Sequence, residues 1–189
     1  GNVEGMQLLI ERGANVNSKD GAGETALMAA CTNGNARAVQ FLIDQGADVK
    51  VRSKRNETAL GFAATAGVQA SVEMLLAKGA EVNVRNFRGY SPLMFAAGSD
   101  AMPAGIIRLM LDKGADASFT GDYDEPASAL AAKRGHTEVA RLLGAASPSP
   151  TAGATAMVRS VNVSYQSIPE AVSRSLALLE KQSGAFIRT

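Results

Sequence analysis

The chain has 189 residues, 46% of them hydrophobic, which is enough for one ordinary domain or a short solenoid. Its formal net charge is +1, so no global field selects a nucleic acid or a membrane surface, and no apolar run approaches the length of a membrane span. One cysteine, Cys31, excludes an internal disulfide, and the lack of Trp with only 5% aromatics suits thin helices packed through small side chains.

Taken in order, Gly1 to Asn17 reads as the second half of a repeat. Val3, Met6, Leu8, Leu9 and Ile10 form a helical apolar stripe that ends at Gly13-Ala-Asn-Val-Asn. The first helix of that unit is lacking, so one face of the stripe is without its usual cover. The chain opens inside this unit and is expected to be part of a longer one. The next unit predicts a helix over Thr25–Thr32 with Thr25 as N-cap, a break at Gly34, and a second helix over Ala36–Asp44. In that second helix Val39, Leu42 and Ile43 face inward, and Gly46 ends it. Helices are then expected at Thr58–Ala66 and Gln69–Ala77, at Ser91–Ala97 and Pro103–Asp112, and, after Pro126, up to Gly144 with Thr137–Leu143 as the last. Pro103 suits a first helical turn, where its missing N–H costs nothing.

These units repeat. Thr25-Ala-Leu-Met-Ala-Ala recurs 33 residues later from Thr58, and after another 33 as Ser91-Pro-Leu-Met-Phe-Ala-Ala. Gly46-Ala-Asp-Val returns 33 residues on as Gly79-Ala-Glu-Val. Self-similarity at such a period indicates a solenoid of stacked supersecondary units. Two residues before each helix-capping position stand Gly23, Asn56, Gly89 and Asp124, the residue types that best tolerate φ > 0. Gly13, Gly46, Gly79 and Gly114 follow the second helices, where a left-handed residue is wanted.

The unit resembles an ankyrin repeat, whose pattern is roughly D-x-x-G-x-T-P-L-H-x-A-A-x-x-G-H, a second helix with Val and Leu-Leu, then G-A-D-V-N. The resemblance covers about residues 1–144. It implies an all-α helix-turn-helix solenoid with short β-hairpin fingers. The parts expected are a half repeat at 1–19, repeats at about 20–52, 53–85 and 86–117, and a capping repeat at 118–144. The histidine of the family's tetrapeptide is absent throughout: the four copies read Thr25-Ala-Leu-Met28, Thr58-Ala-Leu-Gly61, Ser91-Pro-Leu-Met94 and Pro126-Ala-Ser-Ala129. Ser128 in place of a core Leu, with the short small-residue last helix, marks the fifth unit as a terminal cap.

A Pro/Ser/Ala-rich linker is expected at 145–156, and 157–189 as an extended segment and one amphipathic helix, Ser167–Gln182, beginning a further domain. Residues 176–189 also resemble a segment that leads, in some bacterial multidomain proteins, into a c-type haem attachment Cys-x-x-Cys-His, a motif this chain does not contain. That resemblance implies an alternative, in which the repeats are the recognition part of a larger exported, periplasmic redox protein.

Nothing in the motifs points to catalysis, a cofactor or a metal. His136 occupies a Gly-His turn with no nucleophile or carboxylate placed beside it by motif, so a structural role is favoured over acid–base work. Cys31 falls on the stack-facing side of its helix and reads as a buried small residue. The finger tips are the informative positions. One carries Lys50, Arg52, Lys54 and Arg55; the next Arg85, Phe87, Arg88 and Tyr90; the last Asp122, Tyr123, Asp124 and Glu125. Charge of this kind is often only a solvated face, but Phe87 and Tyr90 beside arginines favour a contact surface, since Tyr and Arg are typical interface anchors. The nearby acids argue against nucleic acid. The resemblance implies protein–protein recognition through fingers and first helices. The candidate contact residues are Arg52, Lys54, Arg55, Phe87, Arg88 and Tyr90 on the fingers and Met28 and Met94 on the first-helix face. A monomer without enzymatic activity, binding one unidentified protein partner, is expected.

Overall fold

The computed structural model describes residues 2–100 and 104–146, which belong to one compact unit, 1–148. The expected linker from 147 on, the helix at 167–182, the haem-like segment and Pro103 lie outside the described residues. Among the described residues the elements are α1 (Val3–Glu11), α2 (Ala26–Thr32), α3 (Ala36–Asp44), α4 (Ala59–Ala66), α5 (Gln69–Ala77), α6 (Pro92–Gly98), α7 (Ala104–Asp112), α8 (Ala127–Lys133) and α9 (Thr137–Ala146).

Local chemistry starts and stops each helix. The hydroxyls of Thr25, Thr58 and Ser91 accept hydrogen bonds from the N–H groups of Met28, Gly61 and Met94, which fills orphan donors at the starts of α2, α4 and α6. Pro92 occupies the first position of α6. The second helices end in one recurring motif. After α3, Gly46 donates to the carbonyl of Ile43 and Ala47 to that of Leu42, the paired bonds of a Schellman cap. The same pair follows α5 at Gly79 and Ala80, and α7 at Gly114 and Ala115. All these glycines, with Gly13, have φ between 82° and 92°. One stop is not taken: α9 runs through Gly144 to Ala146, past the expected end at Leu143.

The helices stack in two rows. α2, α4, α6 and α8 pack in succession, as do α1, α3, α5, α7 and α9, and each pair packs on itself. One core runs through the rows: Leu27, Leu60 and Leu93 from the first, Leu42, Leu75, Met110 and Leu143 from the second are all fully buried. Leu9 occupies the same position in α1 yet is 61% exposed, because among the described residues no first helix stands in front of it. Small residues let the rows approach. Gly61, midway along α4, has no side chain where α2 and α6 carry Met28 and Met94, and the Phe95 ring of α6 lies 3.5 Å from where its Cβ would stand.

The expected β-hairpin fingers are looser than hairpins. Three of the four close through a single antiparallel bridge, Lys19 with Thr25, Arg52 with Thr58, and Thr120 with Pro126; the finger at 85–91 closes through the Asn86 N–H bond to the carbonyl of Tyr90, and no strand forms among the described residues. A polar side chain at the base does the ordering instead. Asp20 Oδ1 accepts from the N–H groups of Ala22 and Glu24, Ser53 Oγ from Arg55 and Glu57, and Asn86 Oδ1 from Arg88 and Tyr90. The turns then pass through Gly23, Asn56 and Gly89 at positive φ.

The last finger departs from this. Gly121 holds the base position, and a Cβ there would fall 2.8 Å from the Tyr90 ring and 3.0 Å from Met94 Cε. Without a side chain to gather its N–H groups, the finger turns through two consecutive left-handed residues, Tyr123 at φ 63° and Asp124 at φ 55°.

Candidate functional site

Successive fingers are held together by their main chains. Lys54 N–H donates to the carbonyl of Ala22, and Phe87 N–H to that of Arg55, at 2.9 and 3.0 Å. Asn56 Nδ2 donates to the carbonyl of Arg85, and Arg85 in turn donates to the carbonyls of Gly89 and Thr120. The tips therefore form a row whose members are spaced by hydrogen bonds rather than by solvent.

Charges on that row, and at the turns between the helices, are also shared between neighbouring repeats. Arg52 pairs with Glu81, Arg88 Nε with Asp122 Oδ2 at 2.6 Å, and Arg134 with Asp100 at 2.8 Å, each reaching from one repeat to the next. The hydrogen bond that Arg88 donates to Asp122, then the charge of that carboxylate, raises the pKa of the Arg88 guanidinium above its ordinary value. Three arginines lie over rings: Arg55 over Phe87 at 6.0 Å, Arg85 over Phe119 at 5.2 Å and Arg88 over Tyr90 at 5.6 Å.

Between the second and third fingers and the ends of α4, α6 and α8 lies a groove of about 400 Å³. Its floor is apolar. Tyr90 stacks on Phe95 with centroids 5.9 Å apart and planes at 28°, and Met94 and Leu130 continue the surface. Its rim carries Arg55, Arg88, Arg134 and Glu57. Phe87 stands at its edge, 65% exposed.

The groove unites five of the sequence candidates, Arg55, Phe87, Arg88 and Tyr90, with Met94 in its floor. Arg52 and Lys54 are exposed on the same row but do not line it; Arg52 borders a separate shallow cleft with Asn56 and Glu81. Met28 and Met94 need correction as surface residues. Each is only 1% exposed, because this helix position points between first helices and not out of the stack. The outward position is the next residue, Ala29, Phe62, Phe95 and Leu130, about 100° further round the helix. Sequence reasoning passed over Phe95, Leu130, Glu57 and Arg134. Bulky residues recurring one place after the tetrapeptide, at Phe62, Phe95 and Leu130, are the signal that marks them.

The residues weighed for chemistry serve the stack. His136 Nε2 lies 3.1 Å from the carbonyl of Ser99, and Ser99 Oγ donates to the carbonyl of Thr65, which ties three interhelix turns together. Cys31 is fully buried, and burial pushes its thiol up to about 12. Among the described residues no group of three or more His, Cys, Asp or Glu could hold a metal ion, and no helix is long and apolar enough to cross a membrane.

Residues 1–86 match the family model for ankyrin repeats (3 copies). No curated protein matches the chain. The hydroxyl cap of the matched stretch recurs at α6, and its turn and packing pattern continues through α6–α9.

Proposed function

We propose that this ankyrin-repeat protein is a non-enzymatic interaction module that binds a partner protein through its finger tips and the adjoining first-helix face. Ankyrin repeats are in general protein–protein interaction modules; the mode of binding is the proposal. The observation that carries it is Phe87. A large aromatic side chain is 65% exposed at the lip of an aromatic groove, on a finger whose main chain is already fixed by hydrogen bonds. Fold maintenance does not use that surface, whereas an interface anchor needs a rigid aromatic of this kind. Arg88, Tyr90 and Arg55 extend the same patch, with Arg52 and Lys54 on its flank. The chain acts as a monomer in this reading.

The test separates folding from binding. Phe87→Ala should move the thermal midpoint little, as exposed substitutions change stability by under about 0.5 kcal/mol. Capture of partner protein by the full chain should fall, because truncating an anchor costs about 2 kcal/mol or more of binding. A loss of several kcal/mol of stability with unchanged capture would mean that Phe87 is structural and the patch is not the binding surface.

A further inference from the structure

Resting on that reading, we propose the chemistry of what the groove takes. It is a peptide segment of the partner in which an apolar side chain is flanked by carboxylates. The apolar side chain lies on the Tyr90–Phe95 floor, and the carboxylates engage the arginines of the rim.

The floor selects an apolar group. Tyr90 and Phe95 present one continuous stacked surface, closed on one side by Leu130, in a cavity of about 400 Å³. The Tyr90 ring is flanked on one side by Gly121, where an added Cβ would fall 2.8 Å from it, and lies under the Arg88 guanidinium, both of which restrict its movement. A preformed apolar site of this kind binds without first ordering its own side chains.

Charge complementarity selects the flanks. The rim holds three arginines against one acid, Glu57. Arg55 makes no ion pair among those found in the described residues and rests on Phe87. Arg88 and Arg134 are paired with Asp122 and Asp100, but both pairs are solvent-exposed, and such pairs contribute little and exchange readily. A guanidinium can donate two parallel hydrogen bonds to a carboxylate, so replacing an exposed monodentate pair by a bidentate one is favourable.

A cationic occupant is disfavoured by the same geometry. An ammonium or methylated lysine would seek the faces of Phe87 and Tyr90, and those already carry Arg55 and Arg88. The groove is therefore an aromatic site with its cations built in.

The experiment is selection from a random dodecapeptide phage library on the immobilised full chain, followed by fluorescence anisotropy with enriched peptides. Peptides carrying Asp or Glu within three positions of Phe, Leu or Trp should dominate. Their binding should weaken at least tenfold in Arg55→Glu and in Arg134→Glu, two exposed sites whose variants are checked for an unchanged thermal midpoint. It should also weaken as salt is raised from 50 to 300 mM. Enrichment of Lys- or Arg-rich peptides overturns the proposal. So does enrichment of acidic peptides that bind both variants as tightly as the original chain. In either of those cases peptides still bind, and the interaction-module reading stands. If neither peptides nor partner protein are retained by the chain, both fail.

Discussion

The side-chain amide of Asn83 clasps the loop of the next repeat: its Oδ1 accepts the N–H of Asp116 at 2.9 Å, and its Nδ2 donates to the carbonyl of Gly114 at 2.9 Å. Asn17 makes the same pair with Asp48 and Gly46. At the equivalent place between these two stands Lys50, whose ammonium has no acceptor to offer the N–H of Glu81. Lys50→Asn should therefore supply the missing clasp and raise stability by about 1 kcal/mol, and Asn83→Ala should lower it by a similar amount. Urea unfolding of both variants checks this. Unchanged midpoints in both would show that solvent competes the clasp away.

Ser71 in α5 is fully buried, and its hydroxyl has no hydrogen-bond partner. Its counterparts in α3 and α7 are Ala38 and Ile106, both buried and apolar. An unsatisfied buried hydroxyl is destabilising, so Ser71→Ala should raise stability by about 1 kcal/mol. A lower midpoint would reveal a bond from Ser71 that forms in solution.

Two glycines should respond oppositely. Gly79 has φ 82° and open space around the Cβ position, so Gly79→Val meets no neighbour and its cost is backbone strain, about 1–2 kcal/mol. Gly61 is helical, and a Cβ would meet Phe95 at an ordinary 3.5 Å. Gly61→Ala should gain about 0.5–1 kcal/mol from helix propensity. Denaturant midpoints moving in the same direction for both would contradict the assignment of strain to one site alone.

Cys31 should be inert in the folded protein. With its thiol pushed up to about 12, almost no thiolate exists at pH 8, and full burial blocks reagents as well. Labelling by a thiol-specific reagent should run only as fast as the stack opens. The linkage has a definite sign. The folded value lies above the unfolded one, about 8.5, so Cys31 contributes full stability below about pH 8.5 and loses it progressively as pH rises towards 12. Replacing it by Ala should flatten that part of the alkaline stability profile; labelling as fast as in denaturant would show the site to be open.

The positions that set the units are legible in the sequence because their causes are local. A Thr three residues before the N–H it caps, or a Gly just past a helix end, obeys steric and hydrogen-bonding rules within a few residues of chain. The structure places Gly23, Asn56, Gly89 and Asp124 all at positive φ. Tyr123 joins them for a reason the sequence hides: Gly121, at the finger's base, is kept bare by a ring from the preceding finger.

Tertiary structure alone decided how the tips are wired and which helix residues show. The pairs Arg52–Glu81 and Arg88–Asp122 join residues 29 and 34 apart, and they depend on how one repeat is set down on the next. That same stacking buries Met28 and Met94 and turns Phe95 outward, because adding a neighbour on each side covers one helix face and leaves open the face only about 100° away. Periodicity along a chain says which residues are alike from unit to unit. It takes the neighbouring unit, in place, to say which of those faces is core and which is groove.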